Sequence, residues 1–371
     1  MKRMKKLLLT LLVLAGVMAC AGALTCAHAS ELEDSIKSEL DTKRLESALP
    51  DSAEEILGNA SVEDAGNYGE IFKKIWNYVR ENGGRLVRSA LRSAVLVLAI
   101  AVLTSVVASV LDEKGGYAVT GGIAAISAVT VSSAASFIAL GRETLTQLSA
   151  FSTALLPTLA SAAAMSGAYT SAGAKYAASM MFIDALMRCG EYLVIPVICA
   201  YLAAGIGNAA MGGEGLAAAS GFLKWLATTV MTALMIAFTG FLSITGVVSG
   251  SADAAVQRVA KTAIGAALPV VGGIVSDAAG AMAAGAGMIK NAIGVFGMAA
   301  VLAVCVTPVL KIGAGYLAYK AASGLAGAVA DTRISKLLGT VGTAFGMILG
   351  LVGSASAMLF ISVILFMKAV M

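Results

Sequence analysis

Histidine is nearly absent from this chain, and charge is scarce. The single histidine is His28. It falls in a segment that reads as a removable leader, so the mature protein carries no imidazole. That excludes histidine-based triads, histidine metal sites and histidine proton relays. Charged residues fill 13% of the 371 positions, against about 25% in soluble domains. So little charge cannot cover a globular surface of this size. The net charge is +4, and no basic stretch is interleaved with aromatics, so nucleic acid has no surface to bind. Of the five cysteines, Cys189, Cys199 and Cys305 lie beyond the leader. They sit in apolar surroundings without CxxC spacing and are expected to be structural thiols. No GxGD motif accompanies Asp184 or Asp277, so an intramembrane aspartyl protease lacks its signature. The expectation is a protein that is not an enzyme and holds no cofactor or metal.

What the chain does have is hydrophobicity. Apolar residues make up 58% of it, and the mean hydropathy is +0.87. The apolar stretches are continuous runs, not ten-residue alternations, so the expected fold is an all-α, polytopic helical membrane protein.

The first 29 residues form a signal peptide by pattern. MKRMKK is a positive start, Leu7 to Met18 is an apolar run too short to span a bilayer, and Ala27-His28-Ala29 offers small residues at a cleavage point. An uncleaved short anchor, or a lipoprotein using Cys20, are the alternatives. Residues 30–67 are the one polar stretch, long enough for one or two short amphipathic helices and expected on the extracytoplasmic side. Residues 68–88 read as an interfacial amphipathic helix. Ile71, Phe72, Ile75, Trp76 and Val79 share its apolar face, and Trp76 suits headgroup depth.

Residues 89–371 form the transmembrane domain. Spans are expected at 89–111, 117–140, 148–169, 190–207, 225–248, 264–289, 292–310 and 341–367, with a marginal one at 312–330 because Lys320 interrupts it. That makes about eight, within a range of seven to nine. The first two form a hairpin around the turn DEKGG. The cations Lys73, Lys74, Arg80, Arg85, Arg88 and Arg92 crowd the outer side of the first span, against the positive-inside rule. The signal peptide outweighs them, because cleavage requires that the adjoining residues have been translocated.

Lipid tails are as apolar as leucine, so helices in a bilayer associate where small residues let backbones approach. The chain has 41 glycines. Gly342, Gly346, Gly350 and Ser354 recur every four residues on the last span, and Gly246 and Gly250 make a second pair. Both read as packing seams, within one chain or between copies.

Two polar groups stand out. Asp184, Arg188 and Glu191 are spaced to share one helix face, as an interfacial charge cluster or as the lining of a cavity. Asp277 sits inside an apolar segment with Pro269, Gly272 and Gly273 upstream. Its nearest cations in sequence, Lys261 and Lys290, are more than three turns away. It reads either as a protonated, hydrogen-bonded core carboxyl or as the lining of a polar path in a loosened helix.

Three long strings carry a resemblance. LPVVGGIVSDAAGAMAAGAGMIKNAIGVFGMAAVLAVCVTPVLKIGAGYLAYKAASGLA from Leu268, SFIALGRETLTQLSAFSTALLPTLASAAAMSG at 136–167, and ISKLLGTVGTAFGMILGLVGSASAMLFIS at 334–362 resemble the stage III sporulation protein AE family. The likeness covers roughly residues 70–371. It implies a multi-span protein of the mother-cell membrane around the engulfed forespore. It also implies work with the other stage III sporulation operon proteins, and with the forespore partner stage II sporulation protein Q, in an intercellular channel or secretion-like complex. The family brings no agreed catalytic residues. A stand-alone secondary transporter and a non-conducting scaffold for ring proteins are the alternatives; no convincing inverted repeat favours the transporter. Besides these proteins, the expected partners are the bilayer itself and further copies of the chain.

Signal-peptidase cleavage after Ala29 is expected. N-terminal sequencing of the membrane-bound protein checks it. A start at Ser30 supports the outside placement of residues 30–67, and a start at Met1 contradicts it.

Overall fold

A computed structural model describes residues 42–58, 61–63, 68–111, 115–267 and 272–368; at 68, 169–171, 244–267, 272–279 and 281 it describes the helix path and not the side chains. The leader and its cleavage point lie outside the described residues. The described part is helical throughout. Two short helices, α1 (Thr42–Ser47) and α2 (Asp51–Leu57), precede the long ones. These are α3 (Tyr68–Val110), α4 (Gly115–Met165), α5 (Tyr169–Cys189), α6 (Ile195–Met211), α7 (Glu214–Ala267), α8 (Gly272–Val329) and α9 (Thr332–Met367). A π-turn, Gly190–Val194, joins α5 to α6 without a break.

Six helices among the described residues are long and apolar enough to cross a membrane: Gly69–Val110, Gly115–Met165, Ala172–Met211, Glu214–Ser243, Met282–Val329 and Thr332–Met367. Against the expected count of about eight, one difference is a fusion and the other is the span at 264–289, which falls mostly outside the described side chains. The segments 117–140 and 148–169 are one helix, α4, because Arg142, Glu143 and Thr144 sit between them on unbroken helical backbone. Arg and Glu favour helices, and both side chains here are exposed. The segments 292–310 and 312–330 fuse likewise into α8, with Pro308 inside it. A proline removes one backbone bond, which a buried apolar helix tolerates when its neighbours hold it in place. Residues 68–88 and the first span are likewise one helix, α3.

Reversals occur at two ends of the bundle. At one end lie the links α3–α4, α6–α7 and α8–α9; at the other lies α4–α5. Gly212 and Gly213 make the α6–α7 turn with φ of 74° and 127°, a left-handed conformation that side chains with a Cβ resist. Asp331 caps α9 by accepting a bond from the Arg333 backbone N–H at 2.7 Å. Contacts fix the relative directions. Phe137 of α4 meets Phe345 of α9 at 4.6 Å between ring centroids, and Gly141 faces Ile348, so α4 and α9 run parallel. Cys305 donates to Ser356 at 3.2 Å and Tyr316 lies on Gly346, so α8 and α9 form an antiparallel hairpin.

The exposed charges are unevenly placed. Between Tyr117 and Arg142 helix α4 carries none, and it rises roughly 37 Å there. That suits a hydrocarbon core of about 30 Å with its interfaces. On the far side of this band, exposed charges cluster: Lys73, Arg80 and Arg85 on α3, Arg142 and Glu143 on α4, and Asp184 and Arg188 on α5, with Arg88 and Arg92 of α3 just inside its edge. Helices α1 and α2 dock on this charged half. Leu45, Ala53 and Leu57 are buried, and Lys74 of α3 donates to the Leu57 carbonyl at 2.9 Å. Ile71 and Ile75 of α3 turn into the bundle, whereas Phe72 and Trp76 face outward.

Where α4, α8 and α9 meet, Phe137, Tyr319 and Phe345 form an edge-to-face aromatic cluster, with the Tyr319 and Phe345 centroids 5.1 Å apart. All three are buried. Gly315 of α8 lets this cluster close: a Cβ there would fall inside van der Waals contact with the Phe137 ring. Two residues away, a Cβ at Gly313 would meet only Leu349 at an ordinary 3.8 Å. Gly315→Leu should therefore destabilise the bundle by about 1–3 kcal/mol or more through overpacking, while Gly313→Ala leaves it intact. Thermal melting of the two purified variants beside the parent separates them; equal melting temperatures would contradict the packing.

Candidate functional site

A hollow opens on the side of the bundle between α7, α8 and α9. Its volume is about 730 Å³. Helix α7 contributes Lys224, Thr228 and Thr232, spaced four residues apart so that they share one face. Helix α8 contributes Tyr316 and Lys320, again four apart, and α9 contributes Thr343, Gly346, Gly350 and Ser354. Met231, Met235 and Met347 complete a flexible apolar floor. Among the described residues, no carboxylate lines the hollow.

Local structure fixes these groups. Lys320 donates to the Thr343 hydroxyl at 2.8 Å and to the Gly339 carbonyl at 3.4 Å, which anchors its chain across the α8–α9 seam. Thr343 in turn donates to the Gly339 carbonyl, and Ser354 to the Gly350 carbonyl. These hydroxyls spend their protons on the helix backbone. Their lone pairs then face the hollow, unless a rotation frees the hydrogen. The Lys224 ammonium has no hydrogen bond or ion pair among the described residues.

The stripe of small residues on α9 thus has two uses. A Cβ at Gly342 would meet Lys320 at 3.3 Å, and one at Gly346 would meet the Tyr316 ring at 3.0 Å; these two carry the α8–α9 contact. Gly350 and Ser354 turn toward the hollow, and the nearest atom to a Cβ at Gly350 is the Met231 methyl at 4.0 Å. Gly246 and Gly250 lie outside the described side chains.

Asp184 and Arg188 pair at 2.8 Å along α5, with side chains 60% and 72% exposed, a geometry that contributes little stability in water. Glu191 lies within the π-turn. It lines a different hollow, with Arg142 and Thr146 of α4. The wider turn rotates α6 relative to α5, so α-helical spacing does not carry across Gly190. Asp277, Gly272 and Gly273 belong to the stretch whose side chains are outside the description, as is Pro269, so that reading lies outside the described residues. Sequence reading missed Lys224 and the two threonines behind it, though one lysine four and eight residues from threonines in an apolar run was a usable signal. It also missed two buried lysines: Lys175, which donates to the Leu365 carbonyl at 3.3 Å, and Lys290, 2% exposed. The thiols also differ from expectation: Cys305 is buried, but Cys199 is exposed and Cys189 half-buried.

An all-helical bundle with six crossing-length apolar helices, and no cluster of ligands for a metal among the described residues, defines a multi-pass membrane protein with a lateral, cation-lined cavity. The family description "stage III sporulation protein AE" matches residues 52–370. The chain belongs to that family. It is similar to stage III sporulation protein AE of Bacillus subtilis (strain 168), at 21% identity over 227 residues, which cover 61% of this chain and 57% of that protein. The match thus spans a little over half the length of that relative. No solved structure matches the chain.

Gly346→Leu should lower the melting temperature, because its side chain must displace the Tyr316 ring. Gly350→Leu should leave it nearly unchanged, because its side chain enters the hollow. Melting curves of both variants test this division of the stripe, and a Gly350→Leu loss as large as that of Gly346→Leu would sink it.

Proposed function

We propose that this chain is a membrane component of a sporulation-specific, secretion-like channel complex that joins the mother cell to the forespore and is required for forespore development. One observation carries the reading: the family match runs from residue 52 to 370, through the docked α2 and all six long apolar helices. The proposed location is the mother-cell membrane surrounding the forespore, with the mature N-terminus extracytoplasmic. In that orientation α1, α2 and the C-terminal end of α9 share the outer side. The turns at 211–214 and 329–332 then face the cytoplasm, where Arg333 and Lys336 satisfy the positive-inside bias. The cations of α3 project outside along anionic headgroups. The partners are the other stage III sporulation operon proteins and the forespore protein stage II sporulation protein Q, with self-association of the chain in the assembled complex. The docked N-terminal helices suit this role, since they present a polar outer surface held rigidly on the bundle.

Crosslinking in sporulating cells, followed by purification of the tagged full-length chain and identification by mass, tests the proposal. Recovery of the operon proteins together with the forespore partner is the expected result. Recovery of the chain alone or only with itself would overturn it in favour of a stand-alone transporter.

A further inference from the structure

We infer that the hollow between α7, α8 and α9 is a binding site for a phosphate group. This goes beyond the channel reading and does not depend on it.

Charge is the first argument. Two lysines line one hollow with no carboxylate among the described residues, inside helices long and apolar enough to cross a membrane. Two like charges in one hollow of such helices repel each other and lack an acid to offset them, so a bound anion would stabilise both. Lys320 has only neutral partners, Thr343 and Gly339, and Lys224 has none among the described residues. Thr228, Thr343 and Ser354 donate to helix carbonyls; rotated inward, their O–H groups join that of Thr232 as donors in the same space. Ammonium groups beside hydroxyls, with no acid among the described residues, suit a tetrahedral anion with several acceptor oxygens.

Height is the second argument. Gly141 faces Ile348, and Gly190 faces Leu351. Arg142 and Arg188 are therefore level with the middle of the stretch Thr343–Ser354 that lines the hollow. This is where the bundle surface changes from apolar to charged. Trp225, next to Lys224, is 57% exposed and stacks near Phe222 at 5.8 Å; Tyr192, two residues beyond Gly190 on the charged side, is 75% exposed. Exposed Trp and Tyr mark headgroup depth. The hollow opens sideways at the height where lipid phosphates lie, and its methionine floor accepts an acyl or glyceryl group.

The test uses full-length protein in detergent and three probes: dihexanoyl phosphatidylglycerol, dihexanoyl phosphatidylcholine and glycerol 3-phosphate. Phosphatidylglycerol is expected to bind and to raise the melting temperature. Lys224→Gln should weaken it roughly tenfold or more, the loss of one charge-assisted hydrogen bond, and Lys224→Arg should retain it. Lys224 is exposed and makes no contact that folding depends on, so its variants should fold; melting of the unliganded protein checks this. Gly350→Leu, which fills the hollow, should block binding. Lys311→Gln, outside the hollow, should not weaken it. Binding of phosphatidylglycerol without glycerol 3-phosphate assigns the phosphate to a lipid; equal binding of both assigns it to a soluble phosphate. Equal binding of phosphatidylcholine, or a loss in Lys311→Gln matching that in Lys224→Gln, would overturn the inference. So would binding indifferent to Lys224 and Gly350.

Discussion

Helices in a bilayer have no hydrophobic reason to leave lipid for one another, so this bundle stands on close backbone approach. Where α4, α8 and α9 meet, Gly315 admits the Phe137 ring, and that ring sits 4.6 Å from Phe345. Dispersion between such closely packed groups replaces the water-driven term of a soluble core. The same requirement explains the other tight seams. Gly141 lies under Ile348, Gly205 under Thr340, and Gly297 under Leu155. Each joins helices far apart in sequence, so the fold is a set of pairwise approaches that only small residues permit.

Close approach also shapes the cavity. Along α9, the first two glycines of the stripe touch Lys320 and Tyr316, and the packed seam there anchors both side chains. One turn later the stripe continues, but α7 crosses at Met231 and leaves room. The residues that close one half of the stripe thus hold the polar groups that line the other half. A cavity made this way is stiff on the α8–α9 side and adaptable on the methionine side.

Charge is sorted by height. The apolar band on α4 ends at Arg142, and the docked N-terminal helices cover the charged half below it. The long helices exceed the bilayer thickness, and the charged half and the docked helices α1 and α2 lie at the same end of the bundle. A membrane protein of this family with this shape presents a rigid, charged platform at that end, and a cation-lined hollow at the boundary.

The sequence by itself determined the class, because composition and unbroken apolar runs leave no other way to satisfy the backbone than membrane helices. Its strings resembled the family to which the chain belongs. It also marked Gly342 and Gly346, because a four-residue period is a local property of one helix. Tertiary structure decided the rest. Whether Arg142-Glu143 ends a span or rides through it depends on what α4 packs against, and so did the fusion of two expected spans into one long helix. Lys224 and Lys320 are almost a hundred residues apart in sequence, so no spacing could pair them. Only the antiparallel return of α8 along α9, with α7 laid beside it, brings those cations to one hollow. Proximity of that kind comes from how helices pack, which a linear pattern does not contain.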